Sequence, residues 1–177
     1  LLSSEDVKAS IEAIKKLGIK VKFYKKFCEI NGKGLNGYNY KNNIVIDAKN
    51  SGTLGRLILG LLVNTKKKIK IIGDKSLSKR DFKRISDPLQ KFGARFELTK
   101  NKNLPLNVYG TQDLRPIKFY EKKGSAQCKS SVIFAALRTE GTTFIKAKKS
   151  RNHTELLCKH LKLPVSVSKN KNYDLIK

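Results

Sequence analysis

The residues best suited to chemistry stand immediately before two apolar segments of the chain. Asn50-Ser51-Gly52-Thr53 precedes the apolar run 54–63, and Gly124-Ser125-Ala126-Gln127 precedes a second run centred on residues 132–137. If each run is a helix, its first backbone N–H groups lack intrahelical acceptors and its dipole favours negative charge. Ordinary N-capping explains either segment alone. Their recurrence predicts two anion sites on one face of the protein.

Residues 73–80 form a third candidate, because they combine cations with hydroxyl groups. The segment reads Gly73-Asp74-Lys75-Ser76-Leu77-Ser78-Lys79-Arg80, and Lys146-Ala147-Lys148-Lys149-Ser150-Arg151 is its equivalent further along the chain. An arginine fork suits a carboxylate or a phosphate, although a solvated surface loop would have the same composition. No Ser–His–Asp, Cys–His or paired-carboxylate arrangement can be assembled, so we expect any proton-transfer groups to lie outside the chain.

The candidate segments recur at a nearly constant spacing, which indicates an internal repeat. Ser51 and Ser125 are 74 positions apart, and Gly18 and Gly93, which each end an amphipathic stripe, are 75 apart. Each repeat contains one amphipathic helix and one helix that is apolar almost all round and should be buried. We predict an α/β fold of about two units plus fragments, each unit about 70–75 residues long.

The periodicity of apolar residues predicts the individual elements. Ser3 with Asp6 predicts a capping box for the first helix. Pro88 lies inside the second apolar stripe, which begins at Phe82, so that helix starts either there or near residues 86–87. Amphipathic helices are predicted at residues 7–17, 82–92 and 157–161, and strands at residues 19–23, 43–48, 68–72, 96–98, 106–108 and 143–147.

The chain is strongly basic, with 39 Lys and Arg against 14 Asp and Glu in 177 residues and a formal charge of +25. A nucleic-acid-binding module is therefore one alternative. Only 7 of the cations are arginines, however, and no basic tail or nucleic-acid-binding motif accompanies them. This pattern favours a solvated lysine-rich surface whose field attracts small polyanionic substrates. No apolar run approaches the roughly 20 residues of a membrane span.

Three cysteines, Cys28, Cys128 and Cys158, are odd in number and widely spaced. We interpret them as reduced thiols of a cytoplasmic protein. Since no CxxC pair occurs and His153 and His160 add no metal-ligand spacing, we expect neither a metal nor a cofactor. The sequence contains no methionine, and we expect it to be a piece of a longer protein.

Five segments, taken in order, resemble one enzyme family. They are Leu1-Leu2-Ser3-Ser4-Glu5-Asp6-Val7; Asn50-Ser51-Gly52-Thr53-Leu54-Gly55-Arg56; the loop 73–80 with Asp87-Pro88-Leu89 and Phe92-Gly93-Ala94; Gly124-Ser125-Ala126-Gln127-Cys128-Lys129-Ser130; and Ser150-Arg151-Asn152-His153-Thr154-Glu155. These segments are similar to the family of 5-enolpyruvylshikimate-3-phosphate synthase (3-phosphoshikimate 1-carboxyvinyltransferase). They cover essentially the whole chain.

The resemblance implies part of a two-domain enzyme with six βαβαββ units, three in each inverted α/β-barrel domain. Residues 1–177 would be part of the N-terminal domain, about two units plus fragments, with the second domain absent. The implied reaction of the shikimate pathway, which leads to chorismate and aromatic amino acids, transfers the enolpyruvyl group of phosphoenolpyruvate to the 5-hydroxyl of shikimate 3-phosphate. Phosphate leaves through a tetrahedral intermediate. The implied partners are the two anionic substrates and the remainder of the chain.

The resemblance also assigns binding residues. Shikimate 3-phosphate would be held by Ser125, Ala126, Gln127 and Ser150. Phosphoenolpyruvate would be held by Gly52, Arg80 and Gln127, so Gln127 would lie between the two substrates. Asn50, Thr53 and Lys129 are further candidates.

The chain departs from the family pattern in three places. The Lys-Ser…Arg segment that contacts both substrates would precede Leu1, and the catalytic Asp and Glu would follow Lys177, so we expect the isolated chain to be inactive. Asp81 stands where the family usually has proline. An acidic side chain here could pair with Arg80 and weaken the phosphoenolpyruvate site, so the sequence leaves the strength of that site open.

A sister enzyme, UDP-N-acetylglucosamine enolpyruvyl transferase, shares the repeated fold. Its members usually carry a cysteine in the loop equivalent to residues 73–80, and this loop has none. The difference favours the shikimate substrate. A relative of the sister enzyme and a basic nucleic-acid-binding module are the two alternatives.

Overall fold

Helices and strands alternate along the part of the chain that the computed structural model describes, residues 3–34 and 37–177. A short 3₁₀ turn, Leu77–Lys79, lies in the loop before the third helix. In chain order the elements are α1 (Glu5–Lys16), β1 (Lys20–Phe23), β2 (Cys28–Asn31), β3 (Ile44–Asp47), α2 (Gly52–Leu61), β4 (Ile69–Ile72), α3 (Lys83–Gln90), β5 (Arg95–Glu97), β6 (Leu106–Tyr109), β7 (Lys118–Glu121), α4 (Ala126–Ala136), β8 (Phe144–Lys148), α5 (His153–His160), β9 (Val167–Lys169) and β10 (Tyr173–Ile176).

Two four-stranded sheets have the same topology. The first has the order β3-β4-β6-β5 and the second the order β7-β8-β10-β9. In each sheet the first pair is parallel and the other two pairs are antiparallel. Each sheet with its helices is one βαβαββ unit, and α1 with the antiparallel β1-β2 hairpin repeats the last part of a unit. This confirms the predicted fold class, and no sheet closes into a barrel within the described residues.

The buried helices α2 and α4 pack against each other at very short range. A Cβ atom added to Gly60 of α2 would lie 2.1 Å from the backbone oxygen of Ser131 on α4. The Ser131 hydroxyl in turn donates a 3.1 Å hydrogen bond to the carbonyl of Arg56. Small residues at the contact therefore set the separation of the two helices, and both helices are buried as predicted.

The structure corrects the start of one helix and decides between the two starts predicted for another. The N-cap of α1 is Ser4, whose hydroxyl accepts from the N–H of Val7, rather than Ser3. Helix α3 begins at Lys83, so the alternative start near residues 86–87 is wrong and Pro88 lies inside the helix. Proline has no N–H for the carbonyl four residues earlier. That carbonyl belongs to Arg84, and the Cys128 thiol donates to it at 3.3 Å.

The Cys128 thiol is suited to this role because it stays protonated. Burial, and then the charge of Glu121, raise the pKa of Cys128 to about 12. All three cysteines are free thiols. Cys128 therefore acts as a donor that satisfies a backbone carbonyl in the interior.

The prediction that Leu157 and Leu161 form the buried face of the third amphipathic helix is wrong. Leu157 is 49% exposed and Leu161 is 54% exposed on α5. The buried face instead carries Thr154, Glu155 and Cys158. Thr154 donates a 2.7 Å hydrogen bond to the Ser130 hydroxyl, and Glu155 pairs with Lys129, so polar contacts to α4 set the rotation of α5.

Among the described residues, no helix is both long and apolar enough to cross a membrane.

Candidate functional site

Two guanidinium groups converge on the first residue of α2. Ser51 caps this helix, because its hydroxyl accepts from the N–H of Leu54 at 3.2 Å. Gly52 follows as the first helical residue. A Cβ atom built on Gly52 would lie 2.9 Å from Nη1 of Arg80 and 3.8 Å from Nη1 of Arg56. Two arginine side chains and the positive end of a helix dipole therefore face the same small space.

Gln127 joins the beginnings of the two buried helices. Its Nε2 donates a 3.1 Å hydrogen bond to the Thr53 hydroxyl on α2. Its Oε1 accepts a 2.5 Å hydrogen bond from Nη1 of Arg56. The structure thus brings Gly52, Thr53, Arg80 and Gln127 together, although they come from segments far apart in the sequence.

The first turn of α4 forms the second half of the site. The Ser125 hydroxyl accepts from the N–H of Cys128 at 3.3 Å, which leaves its own hydrogen free to donate to a ligand. The Ser125 N–H is held by the Glu121 carboxylate at 2.9 Å. Ala126 is the first helical residue, and the N–H groups of this first turn have no intrahelical acceptor.

The loop that carries Ser150 runs beside the start of α4. A Cβ atom built on Gly124 would lie 3.3 Å from the backbone oxygen of Lys149. The Ser150 hydroxyl oxygen is buried and has no hydrogen-bond partner among the described residues. A buried hydroxyl without a partner is costly, so a ligand atom here would be stabilising.

The site has an excess of positive charge. Burial lowers the pKa of Arg56, and the neighbouring charges of Arg84 and Arg80 lower it further. In the part of the chain that the structure describes, none of these three arginines forms an ion pair with a carboxylate. The charge of Asp81 acts on Arg56 in the opposite direction but less strongly than either arginine. Like charges gathered without a paired carboxylate repel each other, and a bound anion would relieve that repulsion.

Both acidic residues near Arg80 accept hydrogen bonds from neighbouring N–H groups. Asp74 accepts from the N–H of Leu77 at 2.7 Å and from the Asn50 amide at 2.6 Å, and these hydrogen bonds lower the pKa of Asp74. Asp81 accepts from the N–H of Lys83 at 2.7 Å. No ion pair between Asp81 and Arg80 is present within the described residues. Through its hydrogen bond to Asp74, the Asn50 side chain holds the loop 73–80 in place.

Lys129 does not face the site. Its side chain is completely buried, and its ammonium lies 2.5 Å from Oε1 of Glu155 on α5. The prediction of Lys129 as a phosphate contact is therefore corrected, because an ammonium inside the α4–α5 contact is not accessible to a ligand.

Arg56 was not predicted as a site residue, although the sequence contains a signal for it. It lies four positions after Gly52, and residues at this spacing share one face of a helix. Arg56 was not selected because the other residues of 54–63 are apolar or small, and a buried helix rarely carries a charge.

A large cavity lies away from these residues. It has a volume of about 590 Å³ and lies near the ends of α2 and α4, where Asn64 and Arg138 line it together with Tyr38. It includes none of the predicted site residues. Within residues 3–34 and 37–177, no group of three or more His, Cys, Asp or Glu side chains is arranged to hold a metal ion.

The fold and the site together define an α/β protein of repeated βαβαββ units, with a cationic site where two buried helices begin. All 177 residues match the family model of EPSP synthase (3-phosphoshikimate 1-carboxyvinyltransferase). The chain belongs to the EPSP synthase family.

Individual relatives support this assignment. The 3-phosphoshikimate 1-carboxyvinyltransferase of Streptococcus agalactiae is 44% identical over 157 residues, which cover 88% of this chain and 36% of the relative. That of Caldicellulosiruptor saccharolyticus is 41% identical over 163 residues, with 89% and 36% covered. The EPSP synthase structure from Acinetobacter baumannii has a TM-score of 0.88 and 31% identity, and the match covers 99% of this chain and 40% of that one. This chain therefore spans well under half the length of these relatives.

Proposed function

We propose that this chain is part of an enzyme that transfers the enolpyruvyl group of phosphoenolpyruvate to the 5-hydroxyl of shikimate 3-phosphate. The observation that carries the proposal is the convergence of Arg56 and Arg80 on Gly52, beside a glutamine that joins both helix starts. Both substrates are polyanions, and the arrangement offers guanidinium groups, helix N-termini and an amide donor within one region.

The two halves of the site suit different substrates. We assign phosphoenolpyruvate to Gly52, Arg80 and Gln127, where the two guanidinium groups meet. We assign shikimate 3-phosphate to Ser125, Ala126, Gln127 and Ser150, where unpartnered donors surround the start of α4. The Gln127 amide lies where the two halves meet, and Thr53 supports it.

The chain supplies part of the N-terminal domain in this proposal, and the second domain closes over the substrates. Domain closure excludes water and completes the catalytic groups. The isolated chain is therefore expected to bind substrates weakly and to show no turnover. The cytoplasmic location stays a prediction.

Binding of shikimate 3-phosphate to the isolated chain tests the proposal. We expect a dissociation constant of about 1 mM or weaker, with chemical-shift changes centred on residues 125–127. Gln127→Ala should weaken binding by about tenfold, because it removes an amide donor from the site. Gln112→Ala is the matched control, since Gln112 donates instead to the backbone of Asn64 near the large cavity. No shift changes around Ser125 at high ligand concentration would contradict the assignment.

Salt dependence separates this function from binding to nucleic acid. A nucleic-acid-binding module loses about 0.9 log units of affinity per log unit of salt for each duplex phosphate that it neutralises. A tight complex with duplex DNA that persists at near-physiological salt would favour that alternative. Binding of UDP-N-acetylglucosamine in preference to shikimate 3-phosphate would favour the sister enzyme.

Gly52→Ala is expected to weaken phosphoenolpyruvate binding by more than about tenfold without destabilising the fold. The new Cβ atom would lie 2.9 Å from Nη1 of Arg80, so the flexible arginine must move away from the helix start. Alanine is also a better helix former than glycine by about 1 kcal/mol. Isothermal calorimetry and urea unfolding measure the two effects separately. In the control Gly55→Ala, the added Cβ is 3.4 Å from its nearest neighbours; equal losses of affinity in both variants would refute the steric argument.

A further inference from the structure

Arg56 is a buried cation held between three structural elements. Only 7% of its surface is exposed. Its Nη1 donates to Oε1 of Gln127 on α4 at 2.5 Å, and its guanidinium carbon lies 5.7 Å from the ring centre of Phe82, next to α3. The Ser131 hydroxyl binds its backbone carbonyl. The guanidinium therefore has a defined position beside the start of α4.

The contact with Arg56 determines which way the Gln127 amide points. A glutamine amide has an acceptor end and a donor end, whereas a guanidinium group can only donate. Arg56 must therefore bind the oxygen of Gln127, and the NH₂ group is directed to the Thr53 hydroxyl, 3.1 Å away. The opposite orientation would place NH₂ against guanidinium and lose the hydrogen bond to Arg56, whereas the Thr53 hydroxyl can bind either end of the amide. The orientation is therefore set by Arg56.

This arrangement is unfavourable for the fold alone. Nε of Arg56 is buried without a hydrogen-bond partner among the described residues. No carboxylate there forms an ion pair with it; burial and the charges of Arg84 and Arg80 lower the pKa of Arg56, and the charge of Asp81 offsets them only in part. Buried charges without counter-ions reduce stability, so an apolar residue would suit this helix better if packing were its only task.

We infer that Arg56 is a positioning residue, which holds the Gln127 amide in the one orientation that presents its NH₂ group between the two substrate sites. The inference rests on the proposed function for its ligands, but the orientation itself is a property of the free chain. Arg56 also adds charge to the space above Gly52, where the anion is expected.

The Gln127 side-chain NH₂ signals in an ¹⁵N-labelled sample of the 177-residue chain report this orientation directly. Every glutamine NH₂ group gives two proton signals, because rotation about its C–N bond is slow; in a held amide these signals are displaced from the values of a free amide and exchange slowly with water. In Arg56→Lys, we expect these signals to move toward the values of a free amide and to exchange faster, because one ammonium does not reproduce the planar guanidinium fork. The same variant should bind phosphoenolpyruvate about tenfold more weakly.

Arg138→Lys provides the matched control. Arg138 lies near the large cavity, and its Nε donates at 2.7 Å to the amide oxygen of Asn64. It is therefore a second arginine–amide pair outside the proposed site. We expect this variant to leave the Gln127 signals and phosphoenolpyruvate binding unchanged. Unchanged Gln127 signals in Arg56→Lys, or an equal loss of binding in both variants, would overturn the inference.

Gln127→Glu separates positioning from packing. A carboxylate in this position accepts from Arg56 and supplies its missing counter-ion, so urea unfolding should show equal or greater stability. It has no NH₂ donor, and it repels anions, so phosphoenolpyruvate and shikimate 3-phosphate binding should fall by more than about tenfold. Retained binding would contradict the inference. If the wild-type chain binds neither substrate, the proposed function fails, whereas the Gln127 signals still test the role of Arg56.

Discussion

Replacing Gly60 by alanine is expected to lower the free energy of unfolding by about 3 kcal/mol, the upper end of the usual cost of overpacking. The added Cβ atom would lie 2.1 Å from the oxygen and 2.9 Å from the carbonyl carbon of Ser131. A backbone carbonyl in a helix cannot rotate away, so α2 and α4 must separate. Their separation would also disturb the Arg56–Gln127 contact between them. The better helix propensity of alanine, about 1 kcal/mol, offsets only part of this loss.

Urea unfolding monitored by circular dichroism measures the effect, and Gly55→Ala is the control. Gly55 lies on the same helix, but its added Cβ would be 3.4 Å from Ala48 and from Phe82, which is ordinary contact. We expect that variant to be as stable as the wild type or slightly more stable. Equal stability of the Gly60 and Gly55 variants would show that the short contact between α2 and α4 is not present in solution.

Lys129→Met is expected to destabilise the chain by about 3–5 kcal/mol, because it leaves the Glu155 carboxylate buried without its counter-ion. The two side chains are 0% and 5% exposed, and their charged groups are 2.5 Å apart. Because Glu155 is buried, water does not screen the remaining charge. Neither of its carboxylate oxygens has a hydrogen-bond donor within the described chain, so no donor compensates that charge. Removal of the charge therefore costs more than removal of an exposed ion pair.

The double variant Lys129→Met, Glu155→Met distinguishes a lost ion pair from lost packing. Methionine is flexible and similar in length to both side chains, so the double variant should recover to within about 1 kcal/mol of the wild type. Glu155→Met alone should be destabilised like Lys129→Met, because it leaves a buried ammonium. A double-mutant cycle from urea unfolding measures the coupling. If the two single losses simply add, the pair contributes through packing and the charge argument is wrong.

The same pair explains why α5 could not be oriented from its sequence. Leucines at residues 157 and 161 indicate an apolar face, yet both are about half exposed. The buried Lys129–Glu155 pair and the Thr154–Ser130 hydrogen bond hold the opposite face against α4. Local periodicity reports how apolar each face is. It does not report which partner residues another helix supplies.

The start of α3 illustrates a similar limit. Pro88 argued for a helix beginning near residues 86–87, because proline leaves the carbonyl four positions earlier without a donor. The structure satisfies that carbonyl, on Arg84, with the thiol of Cys128, 44 positions away. A sequence rule for proline cannot include a donor that comes from another helix.

The sequence by itself determined the repeat, the α/β class, most of the strands and the segments where the two buried helices begin, because these depend on local periodicity, capping residues and spacing. Only the tertiary structure decided that Arg56 contacts Gln127, that Arg80 lies over Gly52 and that Lys129 forms a buried ion pair with Glu155. These contacts join residues on different elements, and their geometry follows from how closely α2, α4 and the loops pack. A charged residue in an apolar segment can contact a ligand or form half of a buried ion pair, and only its three-dimensional neighbours distinguish these two roles.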